Sequence, residues 1–153
     1  MIKYLNTKVT FEEIPDEVSL CFNITNCTHR CKGCHSPELR LDIGVELTDG
    51  NLDSAIRLNS GVTCVCFLGE GTDSKRLHEL ADRVRTVHGL KAALYSGRNV
   101  LDDEIIRRFD YVKTGEYLED KGGLNHSSTN QRLYAVLTTT DGYNLVDITK
   151  RFW

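Results

Sequence analysis

Short apolar runs alternate with stretches of helical periodicity along most of this chain, and that rhythm limits the folds open to it. Residues 18–24 place apolar side chains at near-alternate positions and read as a strand. Residues 62–68 read as a buried strand, apolar on both faces and ended by Gly69, residues 90–95 as one stopped by Ser96-Gly97, and residues 111–113 as a short one before Thr114-Gly115. Between them lie helical stretches. Residues 52–58 follow the candidate caps Thr48 and Asn51. Asp73 caps a helix in which Leu77, Leu80, Ala81, Val84 and Val87 recur at spacings of three and four, a stripe assigned to the core. Residues 101–109 carry Asp102 and Asp103 in a first helical turn, where acids suit the helix dipole. Residues 116–130 are polar and read as an irregular loop. Residues 133–137 and 143–148 read as two further strands joined at the hairpin signal Asp141-Gly142.

Strand alternating with helix predicts βαβ units and a mostly parallel sheet. Each unit takes about 30 residues, and a closed eight-unit barrel takes about 250. A chain of 153 residues therefore holds roughly half of one. The expectation is a single α/β domain over residues 1–153, a partial, open TIM-type β/α barrel. Its sheet must stay open along one side, or a partner must cover it.

Charge and hydropathy exclude several functions. The net charge is −3 and the basic residues are scattered, so no nucleic-acid partner is expected. No apolar run approaches the roughly 18 residues that span a bilayer, so no membrane association is expected. The start, Met1-Ile2-Lys3-Tyr4, lacks the layout of a secretory signal. A cytoplasmic location follows as the expectation. In that reducing compartment the six cysteines serve as metal ligands, redox groups or small buried hydrophobes rather than a disulfide framework.

The strongest chemical signal is Cys27-Thr28-His29-Arg30-Cys31-Lys32-Gly33-Cys34, a C-x3-C-x2-C spacing directly after the first expected core strand. Thiolates are the preferred protein ligands of iron–sulfur clusters. Three on one short loop can wrap one four-iron cluster and leave one iron without a protein ligand. An open coordination position is what makes such a site chemical, as it does for catalytic zinc. Two alternatives use the same thiols. A structural zinc site would draw a second ligand pair from Cys64 and Cys66, and an electron-transfer cluster would draw a fourth ligand from Cys21. All three of these cysteines lie in apolar strand patterns that favour burial.

The spacing resembles the signature of the radical S-adenosylmethionine superfamily. The run from Asn26 to Glu38 resembles more narrowly the C-x-H-x-C-x-G-C-H-N-P-E loop of activating enzymes for anaerobic ribonucleoside-triphosphate reductase, with Ser36 in place of the usual Asn. Val112-Lys113-Thr114-Gly115-Glu116-Tyr117 and Thr129-Asn130-Gln131-Arg132 also look like that family, so the likeness covers roughly residues 15–135. The resemblance implies a [4Fe–4S] cluster on Cys27, Cys31 and Cys34, and S-adenosylmethionine chelated to the open iron. It implies a flavodoxin-like electron donor, reductive cleavage of the sulfur–C5′ bond, and a glycyl radical left on the partner reductase.

Ligands of open α/β sheets bind at the carboxyl ends of strands. That rule directs attention to Gly69 and Glu70, to Ser96 and Gly97, and to Lys113 as binders of S-adenosylmethionine. The family resembled carries Gly-Gly-Glu or Gly-Gly-Asp where this chain has Leu68-Gly69-Glu70-Gly71. Arg98 suits bidentate contact with a ligand carboxylate, or stands in solvent. A small-molecule enzyme of the same superfamily, such as a 7-carboxy-7-deazaguanine synthase, is the alternative enzyme. A zinc or iron–sulfur binding module is the alternative that is not an enzyme.

Overall fold

A computed structural model describes residues 1–27 and 37–153. The eight strands among them are β1 Lys3–Thr10, β2 Ser19–Ile24, β3 Val45–Glu46, β4 Cys64–Leu68, β5 Lys91–Tyr95, β6 Tyr111–Thr114, β7 Arg132–Thr139 and β8 Gly142–Asp147. They form one open sheet in the order β3-β1-β2-β4-β5-β6-β7-β8. The centre, β2-β4-β5-β6, is parallel, whereas β1, β3, β7 and β8 join antiparallel. The sheet is therefore mixed: its parallel character is confined to the strands joined by helical crossovers. The hairpin expected at Asp141-Gly142 joins β7 to β8.

Three helices cross between the parallel strands: α1 Asp49–Leu58, α2 Ser74–Thr86 and α3 Asp103–Ile106. Thr48 caps α1 by accepting from the Asn51 amide at 3.0 Å, and Asp73 caps α2 by accepting from the Arg76 amide at 3.0 Å. The α2 stripe buries Leu77, Leu80, Ala81 and Val84. Val87 departs from the core assignment and is 58% exposed. The helix ends at Thr86, and the chain turns through Gly89 (φ +64°) toward β5, so the periodic stripe outlasts the surface it packs on.

Strand alternation sends residues to two faces. One face packs on the helices through Leu20, Phe22, Val65, Phe67, Leu94 and Val112. Across it runs a chain of ring contacts, Tyr4–Phe22 at 5.3 Å, Phe22–Phe67 at 6.1 Å and Phe67–Phe109 at 6.3 Å. The opposite face carries Cys21, Cys64, Cys66, Ala93 and Leu133. The chain covers part of that face itself: Ile14 from the β1–β2 connection is fully buried there, with Leu124, Ile148 and Phe152 alongside. No helix among the described residues is long and apolar enough to cross a membrane.

β1 had no clear sequence signal. Most of its residues are exposed, and a bulge between Tyr4 and Thr7 breaks the alternation that marks a half-buried strand.

α1 and α2 are tied by Asp53. Arg83 donates to it from Nε at 2.9 Å and Nη2 at 2.6 Å, and His88 Nε2 lies 2.8 Å away. The Arg83 bonds, with His88 second, hold the Asp53 carboxyl well below the usual carboxylate range. Its stabilisation is complete above the ordinary aspartate pKa of about 4 and is lost as pH falls toward the lower folded-state value. Urea denaturation should find Asp53→Asn less stable than the parent at neutral pH. The gap should narrow below about pH 4.

Candidate functional site at the strand ends

The parallel centre delivers the carboxyl ends of β2, β4, β5 and β6 to one side of the sheet, and those expected site residues that are described lie there. Cys27 follows β2 after Thr25 and Asn26 and is half-buried. Asn26 takes a positive φ of 62° and turns the chain out of the strand. The Cys27 amide donates to the Leu39 carbonyl at 2.8 Å, and the Asn26 amide donates to the Leu41 carbonyl at 3.0 Å. The Thr25 hydroxyl donates to the Ile43 carbonyl at 2.7 Å. Cys27 is thus pinned to the chain returning at Leu39–Leu41. Cys31 and Cys34 lie outside the described residues. Among the described residues, no three His, Cys, Asp or Glu side chains are grouped to hold a metal ion.

The turn after β4 brings Gly69 (φ +125°) and Gly71 (φ +65°) against Ile24, and a Cβ on either would meet that side chain at 3.4 Å. Glycine is required by backbone conformation here and also permits close approach to the end of β2. Between them, the Glu70 carboxylate accepts the Ser96 hydroxyl at 2.5 Å. It also takes Arg98 Nε at 3.1 Å and Nη2 at 2.5 Å. Arg98, expected to reach a ligand carboxylate or solvent, is instead the bidentate partner of Glu70. Ser96 is buried, and its hydroxyl also accepts the Arg98 amide at 3.0 Å. Gly97 is the half-buried link between these two residues.

Lys113 is buried near the end of β6. Its ammonium donates to the carbonyls of Ser96 at 3.1 Å and Gly115 at 3.0 Å, and lies 5.7 Å from the Tyr95 ring centroid. These two bonds are to neutral main-chain carbonyls. Of the expected residues, the structure links Glu70, Ser96 and Lys113 in one hydrogen-bonded series, with Gly69 and Gly97 in the adjoining turns.

Residues 116–130 form the irregular loop expected, and the polar run after it has a physical role that sequence alone left obscure. Gln131 is buried and donates from Nε2 to the Gly115 carbonyl at 3.3 Å, while Asn130 Nδ2 donates to the Glu116 carbonyl at 3.1 Å. The Thr129 hydroxyl donates to the Gly122 carbonyl at 3.0 Å. These bonds hold the loop over the end of β6. Between the loop and the β1–β2 connection lies a cavity of about 810 Å³, walled by Glu13, Tyr95, Lys113, Tyr117, His126 and Gln131. Its size falls within the range of small-molecule sites, about 300–1,000 Å³. Tyr95 was not singled out by sequence. It closes the cavity floor and donates its hydroxyl to the Glu13 carbonyl, and burial pushes its phenol well above the usual range.

Cys64 and Cys66 lie on β4, fully buried, as their apolar context predicts. Burial is the main cause that pushes the Cys64 thiol up to about 12 and the Cys66 thiol well above its usual value. Neither is poised to ligate a metal at the strand ends.

No family model, curated protein or solved structure matches the chain.

Alkylation of metal-free protein at pH 8 tests this division of the thiols. A pKa near 12 leaves about one Cys64 in ten thousand as thiolate at that pH. Mass spectrometry after iodoacetamide should find Cys27 modified before Cys64 and Cys66, which should react only once denaturant is added.

Proposed function

We propose that this chain is a radical S-adenosylmethionine activating enzyme that generates a glycyl radical on an anaerobic ribonucleoside-triphosphate reductase. Cys27, Cys31 and Cys34 would hold its [4Fe–4S] cluster. The observation that carries the reading is the junction of motif and fold. The C-x3-C-x2-C run begins three residues beyond the end of β2, where the turns after β4, β5 and β6 also emerge. The open sheet with its parallel centre is read as the partial TIM-type barrel of that class.

Of the three proposed ligands, Cys27 is the one among the described residues, and its position suits such a group. Cys27 offers a half-buried sulfur at the sheet edge, on a backbone fixed by two amide bonds. When bound, the cluster supplies the electron that cleaves the sulfonium bond of S-adenosylmethionine. The chain's own residues bind and orient. Gly69 and Gly71 keep side chains out of the space beside Ile24, so that backbone can meet a ligand there. Ser96 and Gly97 form the neighbouring wall. Lys113 places a positive charge at the cavity margin, where it favours a carboxylate. Glu70 is fully engaged by Arg98 and Ser96, so it contributes by shaping the Gly69–Gly71 turn rather than by offering a bare carboxylate.

The protein substrate would present a glycine-bearing segment at the strand ends, and a flavodoxin-like protein would deliver the electron. The buried thiols of Cys21, Cys64 and Cys66 suit the reducing, cytoplasmic setting that such chemistry needs.

Protein reconstituted without oxygen should carry about four irons and four sulfides per chain. With reductant and S-adenosylmethionine it should release 5′-deoxyadenosine. With an anaerobic reductase added, EPR should show a glycyl radical. Cys27→Ala, Cys31→Ala and Cys34→Ala should each abolish both products. Cys64→Ala and Cys66→Ala should retain them with a stability loss on the order of 1 kcal/mol. Product without a radical on the reductase would point to another substrate. Zinc in place of iron would point to a binding module.

A further inference from the structure

We infer that Arg98 is a positioning residue that sets the relative placement of three strand-end turns and, through them, the affinity of the site for S-adenosylmethionine. The inference rests on the function proposed above. Arg98 touches three connections at once. Its guanidinium holds Glu70 in the turn after β4 with two nitrogens, at 3.1 and 2.5 Å. Its main-chain amide donates to the Ser96 hydroxyl oxygen within the turn after β5, at 3.0 Å. Its carbonyl accepts the Gly115 amide after β6, at 2.7 Å.

The neighbouring bonds extend this arrangement in both directions. Ser96 Oγ reaches back to Glu70 at 2.5 Å, and Lys113 Nζ bridges the carbonyls of Ser96 and Gly115. Gln131 then joins the Gly115 carbonyl to the loop that walls the cavity. The result is a continuous belt from the β4 turn to the β7 approach. Its members lie far apart in sequence but on successive neighbours of the sheet.

Arg98 and Ser96 are the side chains that link the β4 end to the rest of the belt, and Arg98 supplies two of the three bonds. Gly69 and Gly71 have positive φ and carry no side chain to hold them, so their turn depends on Glu70 for its anchor. A planar, bidentate guanidinium fixes both the distance and the orientation of that carboxylate, whereas an ammonium fixes neither as well. Loss of Arg98 should loosen the Gly69–Gly71 turn. A residue acting this way changes how well the ligand is held and has little influence on the bond-breaking step. The side chain is 37% exposed, so its replacement should not unfold the protein.

The test compares the parent with Arg98→Met, Arg98→Lys, Glu70→Gln and the double variant Arg98→Met/Glu70→Gln. Hydrogen exchange of the metal-free proteins is read first. Arg98→Met should speed exchange at residues 69–71, with exchange in β2 and β4 unchanged. Exchange at that turn identical to the parent's overturns the belt. With reconstituted protein, 5′-deoxyadenosine release should show KM for S-adenosylmethionine raised about tenfold in Arg98→Met, with kcat within about threefold of the parent's. Arg98→Lys should fall between the two. The double variant should be no worse than Arg98→Met, because the two residues act as one unit. Unchanged KM beside altered exchange, or effects that multiply in the double variant, overturns the positioning role. A parent protein that makes no 5′-deoxyadenosine refutes the proposed function instead, and the belt then stands or falls on exchange alone.

Discussion

Parallel pairing of β2, β4, β5 and β6 is the constraint from which the rest of this structure follows. Parallel neighbours cannot be joined by tight turns, so each connection must cross the sheet, and three of the crossings contain α1, α2 and α3. Those helices take up one face, which becomes the main core. Every strand of the centre then ends at the same edge, and the turns that leave it are forced into proximity. Residues separated by 28 positions, such as Glu70 and Arg98, meet because successive strands in the chain are neighbours in the sheet.

The two ends of the parallel centre are built differently. At the amino end, the nearly buried carboxylate of Glu17 takes Lys91 at 2.8 Å and the Thr63 hydroxyl at 2.8 Å, with Tyr111 at 3.3 Å. Large side chains close that end and satisfy one another. At the carboxyl end the turns carry Gly69, Gly71, Gly97 and Gly115, and Lys113 of β6 lines a cavity. Charge at this edge is held in short-range bonds, Glu70 with Arg98 and Lys113 with main-chain carbonyls. One end is a plug, and at the other buried and half-buried turns are held by a polar belt. That asymmetry is the general pattern of ligand sites on α/β sheets.

Much of the fold was legible in the sequence because the parallel strands are buried on both faces. The run Cys64 to Leu68 is apolar throughout, and glycine marks its end. The caps Thr48 and Asp73 announced α1 and α2 by residue type. The exposed strand β1 lacked such a pattern, and the antiparallel flanks made the sheet mixed rather than mostly parallel. Val87 kept the helical spacing but fell beyond the last turn. Strand ends also gave the candidate site, since Gly69, Ser96 and Lys113 were found by position. What pairs with what was not legible: nothing local in Arg98 or Gln131 names Glu70 or Gly115 as a partner. The role of Cys31 and Cys34 rests on their spacing from Cys27.

The central claim concerns one coordination position, left open beside the end of β2, that takes the amino-acid moiety of a sulfonium ligand. Electron–nuclear double resonance on the reduced, reconstituted protein reads that position directly. With S-adenosylmethionine labelled at its amino nitrogen, the account predicts a hyperfine coupling between the label and the cluster. It also predicts that the coupling disappears when the ligand is left out. A cluster whose spectrum is indifferent to the labelled ligand, with all four irons bound by protein side chains, would contradict it.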